Sequence, residues 1–153
     1  MSIDIYIDSS STPTDGDGVI IGGVGPANLT QGVVFLLYYD ADHWEYNVGY
    51  RDDAAAFQYV IGASGLEGGT ISADTSHTLH MYWKTGTGAN GEVWVALDGG
   101  AWATNTGLDI NTIGAAFAYI CEFLGQASGT IAAGEWDIWT DDLWAGNYDP
   151  EGR

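Results

Sequence analysis

The chain has 153 residues, of which 46% are hydrophobic and 16% are charged, and this balance excludes a disordered chain. Three basic against 21 acidic residues give a net charge of −18 at pH 7. A surface this negative repels phosphate backbones and anionic lipids, so we expect neither nucleic acid nor membranes as partners. The length suits one domain, and we expect residues 1–153 to form a single core.

The predicted elements are strands bounded by glycine, asparagine, aspartate and serine, a pattern typical of all-β proteins. In the first strand, Ser2–Ile7, isoleucines alternate with Asp4 and Tyr6, which directs one face inward. A glycine- and serine-rich segment follows at 8–18, and we expect a loop or arm there. Further strands are predicted at 19–21, 32–39, 44–51, 56–61, 78–84, 92–97, 117–124 and 135–145.

Two connections are typical of hairpins, namely Asp40–His43 and the glycine-rich residues 85–91. The alanines of residues 112–124 are compatible with a helix, but their Tyr, Ile, Cys and Phe neighbours favour a strand. Strands without crossover helices predict either a sandwich or a barrel. We favour an antiparallel β-sandwich of two sheets.

Three segments carry a resemblance to a known family: Ser76–Lys84 (SHTLHMYWK), Glu92–Gly100 (EVWVALDGG) and Glu135–Gly146 (EWDIWTDDLWAG). Together they resemble the laminin-G-like, concanavalin A-like lectin and glucanase jelly rolls, in which the Asp98-Gly99 pair would make a tight reversal. The resemblance implies two curved antiparallel sheets and a concave face that holds a glycan in many relatives. It also implies calcium, which members of this family often carry.

The glucanase branch of that family uses a Glu-x-Asp-x-x-Glu strand, which supplies the two carboxylates of a retaining glycosidase. Glu135 and Asp137 match the first two acids, but Thr140 stands at the third position and cannot protonate a leaving group. His77 and His80 are three residues apart, which places them on opposite faces of a strand, and the spacing indicates no Ser-His-Asp set. We therefore expect a protein that is not an enzyme.

Glycan binding would use flat aromatic faces together with hydrogen-bonding side chains. The candidates nearest to loops are His43 and Trp44 at a hairpin, Tyr46 and Tyr50 alternating after them, and Trp102. The tryptophans inside predicted strands are expected to fill the core; these are Trp83, Trp94, Trp136 and Trp139.

The sequence establishes no cofactor, and calcium is the candidate for which it offers ligands. Asp15 and Asp17 lie in an Asp-Gly-Asp-Gly segment, whose carboxylates and carbonyls are oxygen ligands of the kind that Ca²⁺ prefers. The same dipeptides are ordinary turn chemistry, so a plain turn remains an alternative. Residues 52–53 and 141–142 are rival carboxylate pairs.

These observations lead to a non-enzymatic interaction module, and we favour a virion-surface protein such as a phage capsid decoration or tail-associated subunit with weak glycan binding. Its partners would be capsid or other virion proteins, surface glycans, or further copies of itself. The N-terminus has no basic and apolar leader, so we expect synthesis in a host cytoplasm and a place on the virion surface. The alternative is a carbohydrate-binding, lectin-like module outside the cell, and a glucanase-type glycoside hydrolase ranks third.

If Asp15 and Asp17 bind calcium, a chelator should lower the Tm, because an ion bound only to the native state stabilises that state. Thermal unfolding with and without a saturating chelator checks this expectation. An unchanged Tm would rule out the two aspartates as a calcium site.

Overall fold

A computed structural model describes residues 1–25, 32–52, 54, 56–62, 68–110, 117–128 and 138–144. Within these ranges the chain forms eleven strands: β1 (Ser2–Ile7), β2 (Gly18–Gly25), β3 (Val33–Asp40), β4 (His43–Arg51), β5 (Phe57–Tyr59), β6 (Gly69–Ile71), β7 (Ser76–Lys84), β8 (Gly86–Leu97), β9 (Ala103–Ile110), β10 (Phe117–Ser128) and β11 (Ile138–Trp144). No helix capable of crossing a membrane occurs in these ranges.

The strands form two antiparallel sheets that pack together. The first sheet has the order β11-β1-β7-β8-β9, and the second has the order β10-β2-β3-β4-β5, with β6 also paired to β4. All of the strand pairs are antiparallel. The predicted antiparallel β-sandwich is confirmed.

The core lies between the sheets and follows from the alternation of side chains along each strand. Ile3, Ile5 and Ile7 of β1 point inward and are at most 2% exposed, whereas Asp4 and Tyr6 are partly exposed on the other face. Alternating positions of the neighbouring strands complete this core, including Val33, Phe35, Leu37, Val48, Leu79, Met81, Val93 and Val95.

The second sheet carries a smaller apolar cluster on its opposite face. Its buried members come from β2 and β3, and two aromatic residues of β5 pack against them: Ile20, Val34, Leu36 and Tyr38, with Phe57 and Tyr59. The corresponding face of the first sheet carries polar and aromatic side chains instead, which makes the outer faces of the two sheets chemically different.

Both predicted hairpins are confirmed, because Asp40 pairs with His43 and Lys84 pairs with Glu92. Residues 85–91 are more ordered than the predicted loop, since β8 begins at Gly86 and this stretch also pairs with β9. The preference for a strand over a helix is confirmed over 117–124, within β10, whereas 112–116 lie outside the described residues.

Strands β6 and β9 were not predicted. The sequence of β9 is polar and contains Gly107 at a φ of 71°, so it lacks the apolar alternation that identified the other strands. Its register shifts where Gly91 pairs with Leu108, and this irregular strand forms one edge of the first sheet.

Candidate functional site

The outer face of the first sheet brings four ring side chains together, which we call the outer aromatic cluster: His80, Tyr82, Trp94 and Trp102. Tyr82 of β7 lies directly opposite Trp94 of β8, and His80 lies opposite Ala96. Side chains alternate along a strand, so the inward positions of Val93 and Val95 place Trp94 outward. Opposite residues of an antiparallel pair share a face, so Tyr82 points outward as well. Trp102 precedes β9 and reaches the same face.

The rings of the outer aromatic cluster form a continuous chain of contacts. The ring centroids of Tyr82 and Trp94 are 6.3 Å apart, those of Trp94 and Trp102 are 6.3 Å apart, and those of His80 and Trp102 are 6.4 Å apart. The first two contacts are edge-to-face, the arrangement that aromatic quadrupoles favour. The cluster is therefore a packed, preformed surface.

Trp94 carries a buried donor in this cluster. Its indole Nε1 is buried and has no hydrogen-bond partner among the described residues. Leaving such a donor unsatisfied costs about 1–3 kcal/mol. The unsatisfied donor makes this cluster a candidate binding surface.

Titratable side chains line the same face along β7. His80, Tyr82 and Lys84 occupy alternate positions, so all three point outward. The Lys84 Nζ atom is 3.5 Å from Oε1 of Glu92 on β8. Side chains that can donate or accept protons thus lie on the same sheet face as the aromatic rings.

A second pair of rings lies towards the other edge of the sheet. The centroids of Tyr6 and Trp139 are 5.5 Å apart, and Trp139 is 51% exposed. They border a shallow cleft of about 230 Å³ together with Asp4 and Asp141, which face each other across β1 and β11. Thr140, the residue that excluded a glucanase, also borders this cleft.

The expectation that strand tryptophans fill the core is wrong for Trp94 and Trp139, which face outward because their strands have only one face in the core. Trp83 does pack against the core. Trp136, like the candidate acids Glu135 and Asp137, lies outside the described residues. Leu79 and Met81 are apolar and two residues apart, so the residues that alternate with them are expected to point outward. This alternation was the sequence signal that could have identified the outward side chains of β7.

The hairpin candidates lie elsewhere, and most of them point inward. Trp44 and Tyr50 are each 5% exposed, and Tyr46 packs against the same core. Tyr39 meets Trp44 edge-to-face at 5.2 Å. Burial raises the pKa of both Tyr46 and Tyr50, with a smaller contribution from nearby carboxylates. The structure thus does not bring these residues together with Trp102, and their part in glycan binding stays a prediction.

His43 is the most accessible of the hairpin candidates, with 38% of its side chain exposed. Its Nδ1 lies 3.1 Å from Asp42 and its Nε2 lies 3.0 Å from Glu45, and these two hydrogen bonds raise its pKa. Glu45 is itself fixed by the amide of Gly68, which donates to it at 2.6 Å. His43 and Trp44 border a cavity of about 340 Å³.

Asp15 and Asp17 stabilise the connection from β1 to β2. Asp17 is buried and accepts a hydrogen bond from the Thr14 amide, and Asp15 accepts one from the Ala41 amide in the β3–β4 hairpin. Within the described residues, no group of three or more His, Cys, Asp or Glu side chains is arranged to hold a metal ion. Calcium at Asp15 and Asp17 stays a prediction, and Asp53 of the rival pair lies outside the described residues.

Comparison with known proteins identifies similar folds and no family. No family model matches the chain, and no curated protein does. The solved structure of the alginate lyase Aly36B matches with a TM-score of 0.57 and 17% identity, covering 92% of this chain and 65% of that one. A mutant of that lyase in complex with alginate trisaccharide matches with a TM-score of 0.54 and 16% identity, covering 92% of this chain and 66% of that one.

At this identity the likeness shows a shared β-sandwich fold. It nevertheless overturns two predictions made from the sequence. The virion-surface function is wrong, because the solved structures that share the fold are those of a polysaccharide lyase. The prediction that the chain is not an enzyme is wrong for the same reason, since it considered only the acids of a glycosidase and the spacing of the histidines, whereas the solved neighbours with this fold are structures of an alginate lyase.

Protonation of His43 should stabilise the protein in a defined pH range. The raised pKa means that the stabilisation is complete below the unfolded value of 6.5 and is lost as the pH rises through the higher folded value. We expect the Tm of the wild type to fall relative to that of His43→Gln between about pH 6 and 8. His80→Gln serves as the control. Parallel pH profiles of wild type and His43→Gln would contradict the two hydrogen bonds.

Proposed function

We propose that this chain is a carbohydrate-active domain that binds a polysaccharide on its outer aromatic cluster. The observation that carries this proposal is the continuous contact of Tyr82, Trp94 and Trp102 on a sheet face that the core does not use. The overturned virion interpretation leaves the carbohydrate-binding alternative, and the fold shared with a lyase that was solved with an alginate trisaccharide supports it.

The chemistry of this face suits a sugar chain. The C–H faces of a sugar ring pack on aromatic rings, while its hydroxyls need donors and acceptors around them. Thr104 lies opposite Trp94, and Thr106 lies opposite Glu92, so the rings are flanked by hydroxyl and carboxylate groups. Neighbouring strands are separated by about 4.8 Å, so rings on β7 and β8 can contact successive parts of one sugar chain.

The net charge of the protein favours one class of polysaccharide over another. The chain carries a net charge of −18, and on this face Lys84 is already beside Glu92. A polyanionic sugar chain would be repelled by such a field at low ionic strength. We therefore propose a neutral polysaccharide as the principal ligand.

We further propose that the sandwich belongs to the laminin-G-like, concanavalin A-like jelly-roll class. Two features support this. The meander β2-β3-β4 lies within one sheet, and the Asp98-Gly99 pair makes a tight turn with both residues at positive φ, 52° and 68°. Such a turn matches the twist of antiparallel strands.

Substitution of Trp102 by alanine should weaken polysaccharide binding by about tenfold, equivalent to about 1.4 kcal/mol, because the stacking surface is lost. Titration calorimetry against a panel of soluble neutral glucans, mannans and xylans measures the affinity. Trp94→Phe should also weaken binding, because it removes the indole donor.

Trp139→Ala is the matched control for this experiment. It removes a tryptophan from the same outer face but from the separate ring pair with Tyr6, so the affinity should stay close to that of the wild type. A panel without any binding, or equal affinities for wild type and Trp102→Ala, would contradict the proposed site.

A second candidate function is elimination on a uronate-containing polysaccharide, and the alignment of His80, Tyr82 and Lys84 on β7 favours it. Such a reaction needs a base for the proton beside the uronate carboxyl group, an acid for the leaving glycosidic oxygen, and a group that neutralises the carboxylate. We assign His80 and Tyr82 to the proton transfers and Lys84 to the carboxylate, which would have to replace Glu92 beside the Lys84 Nζ atom. The lyase fold of the solved neighbours supports this alternative.

If elimination occurs, incubation with alginate or pectate should release unsaturated uronates, which absorb in the ultraviolet. His80→Asn and Tyr82→Phe should each lower the rate by about 10²- to 10⁴-fold, the usual effect of removing a general acid or base. Trp139→Ala, on the same face but in the separate ring pair with Tyr6, should leave the rate nearly unchanged. Absence of unsaturated product from every uronate polymer would exclude this second function.

A further inference from the structure

Three polar side chains meet beside the cavity that His43 borders; two lie close together in the sequence, and the third comes from the next strand. Ser72 follows β6, His77 lies at the start of β7, and Asp98 follows β8. The pairing of β7 with β8 brings Asp98 next to His77, and a short turn brings Ser72 back over it. Sequence spacing gave no sign of this arrangement, because two turns create it.

The distances are those of a hydrogen-bonded relay. The Ser72 Oγ atom lies 2.9 Å from Nε2 of His77, and Nδ1 of the same ring lies 2.7 Å from Oδ2 of Asp98. Nucleophilic serines are recognised by this geometry, in which a base contacts the hydroxyl and a carboxylate orients the base.

The base and the acid are held in place by their surroundings. His77 is only 9% exposed, and the Thr78 amide donates to Oδ1 of Asp98 at 2.8 Å. Asp98 adopts a φ of 52°, in the left-handed region, where it begins the turn with Gly99. Burial tends to raise the pKa of Asp98, but the hydrogen bonds from His77 and Thr78 outweigh it and keep this pKa below its usual value.

The hydroxyl of Ser72 has access to a ligand. Ser72 is exposed and borders the 340 Å³ cavity that His43 and Trp44 also border. Other hydroxyl side chains line the same cavity, from Ser9, Ser11 and Thr70. A cavity of this size and polarity suits a short acyl group on a polyhydroxylated alcohol.

We propose that Ser72, His77 and Asp98 form a nucleophilic site that hydrolyses short acyl esters. The Ser72 oxygen bonds to the acyl carbon, and its proton moves to Nε2 of His77. The bond from the acyl carbon to the alcohol oxygen breaks, and the alcohol leaves with that proton. Water then attacks the acyl-serine with His77 again as base, which releases the carboxylic acid and restores Ser72. Asp98 is a positioning residue: it fixes the orientation of the His77 ring and stabilises the positive charge that this ring gains when it takes the proton.

A further contact of His77 would be consistent with a purely structural role for this residue. The Nε2 atom of His77 also lies 3.1 Å from the carbonyl oxygen of Ser72. A proton on Nε2 would be donated to that carbonyl, and His77 would then only fix the turn. A reactive serine requires the other tautomer, so the reactivity of Ser72 separates the two roles.

The test uses the full chain with a fluorophosphonate probe and with p-nitrophenyl acetate. We expect the probe to label Ser72, as located by peptide mass spectrometry, and Ser72→Ala to abolish both labelling and ester hydrolysis above background. Asp98→Asn should lower the hydrolysis rate by at least about a hundredfold and leave the affinity for the ester nearly unchanged. A thermal melt of each variant confirms folding.

Ser10→Ala and Ser76→Ala are the matched controls, because both are exposed serines outside the residues that line this cavity. They should keep wild-type labelling and rate. Labelling of Ser72 no stronger than that of Ser10 and Ser76, or an unchanged rate in Ser72→Ala, would overturn the proposal. The outcome is independent of glycan binding at the outer aromatic cluster, which involves other residues.

Discussion

The rest of the structure depends on β1, which pairs with a strand on each side and buries one row of its side chains in the core. Ile3, Ile5 and Ile7 are almost wholly inaccessible, and β1 is hydrogen-bonded to both β7 and β11. Each buried side chain of this size contributes about 1.5–3 kcal/mol. A shift of register by one residue would place Asp4 and Tyr6 in the core, so the pairing of β1 fixes the faces of its neighbours.

That register also determines what the outer face of the first sheet presents. With Leu79 and Met81 inside, His80 and Tyr82 can only point outward, and the partner strand then places Trp94 beside them. Side chains on strands are held more precisely than side chains on loops. The outer aromatic cluster therefore owes its geometry to the core, although it contributes little to that core itself.

The fold could be predicted from the sequence because strand alternation and turn residues are local signals. Asp40–His43 and the isoleucines of β1 identified their elements correctly, whereas the polar strand β9 has no such signal. The site could be predicted only in part. Trp102 was a candidate from the sequence and lies in the outer aromatic cluster, but the inward orientation of Trp44 and the meeting of His77 with Asp98 depend on packing and strand pairing, which no short motif encodes.

The irregular edge strand β9 affects how copies of this protein behave at high concentration. A flat, regular edge offers unpaired amides and carbonyls to a second molecule, which is a common start of aggregation. Here the register shift near Gly91 and the left-handed Gly107 distort the ladder that a second molecule would extend. Together with mutual repulsion between strongly negative chains, this distortion disfavours growth of sheets from one molecule to the next.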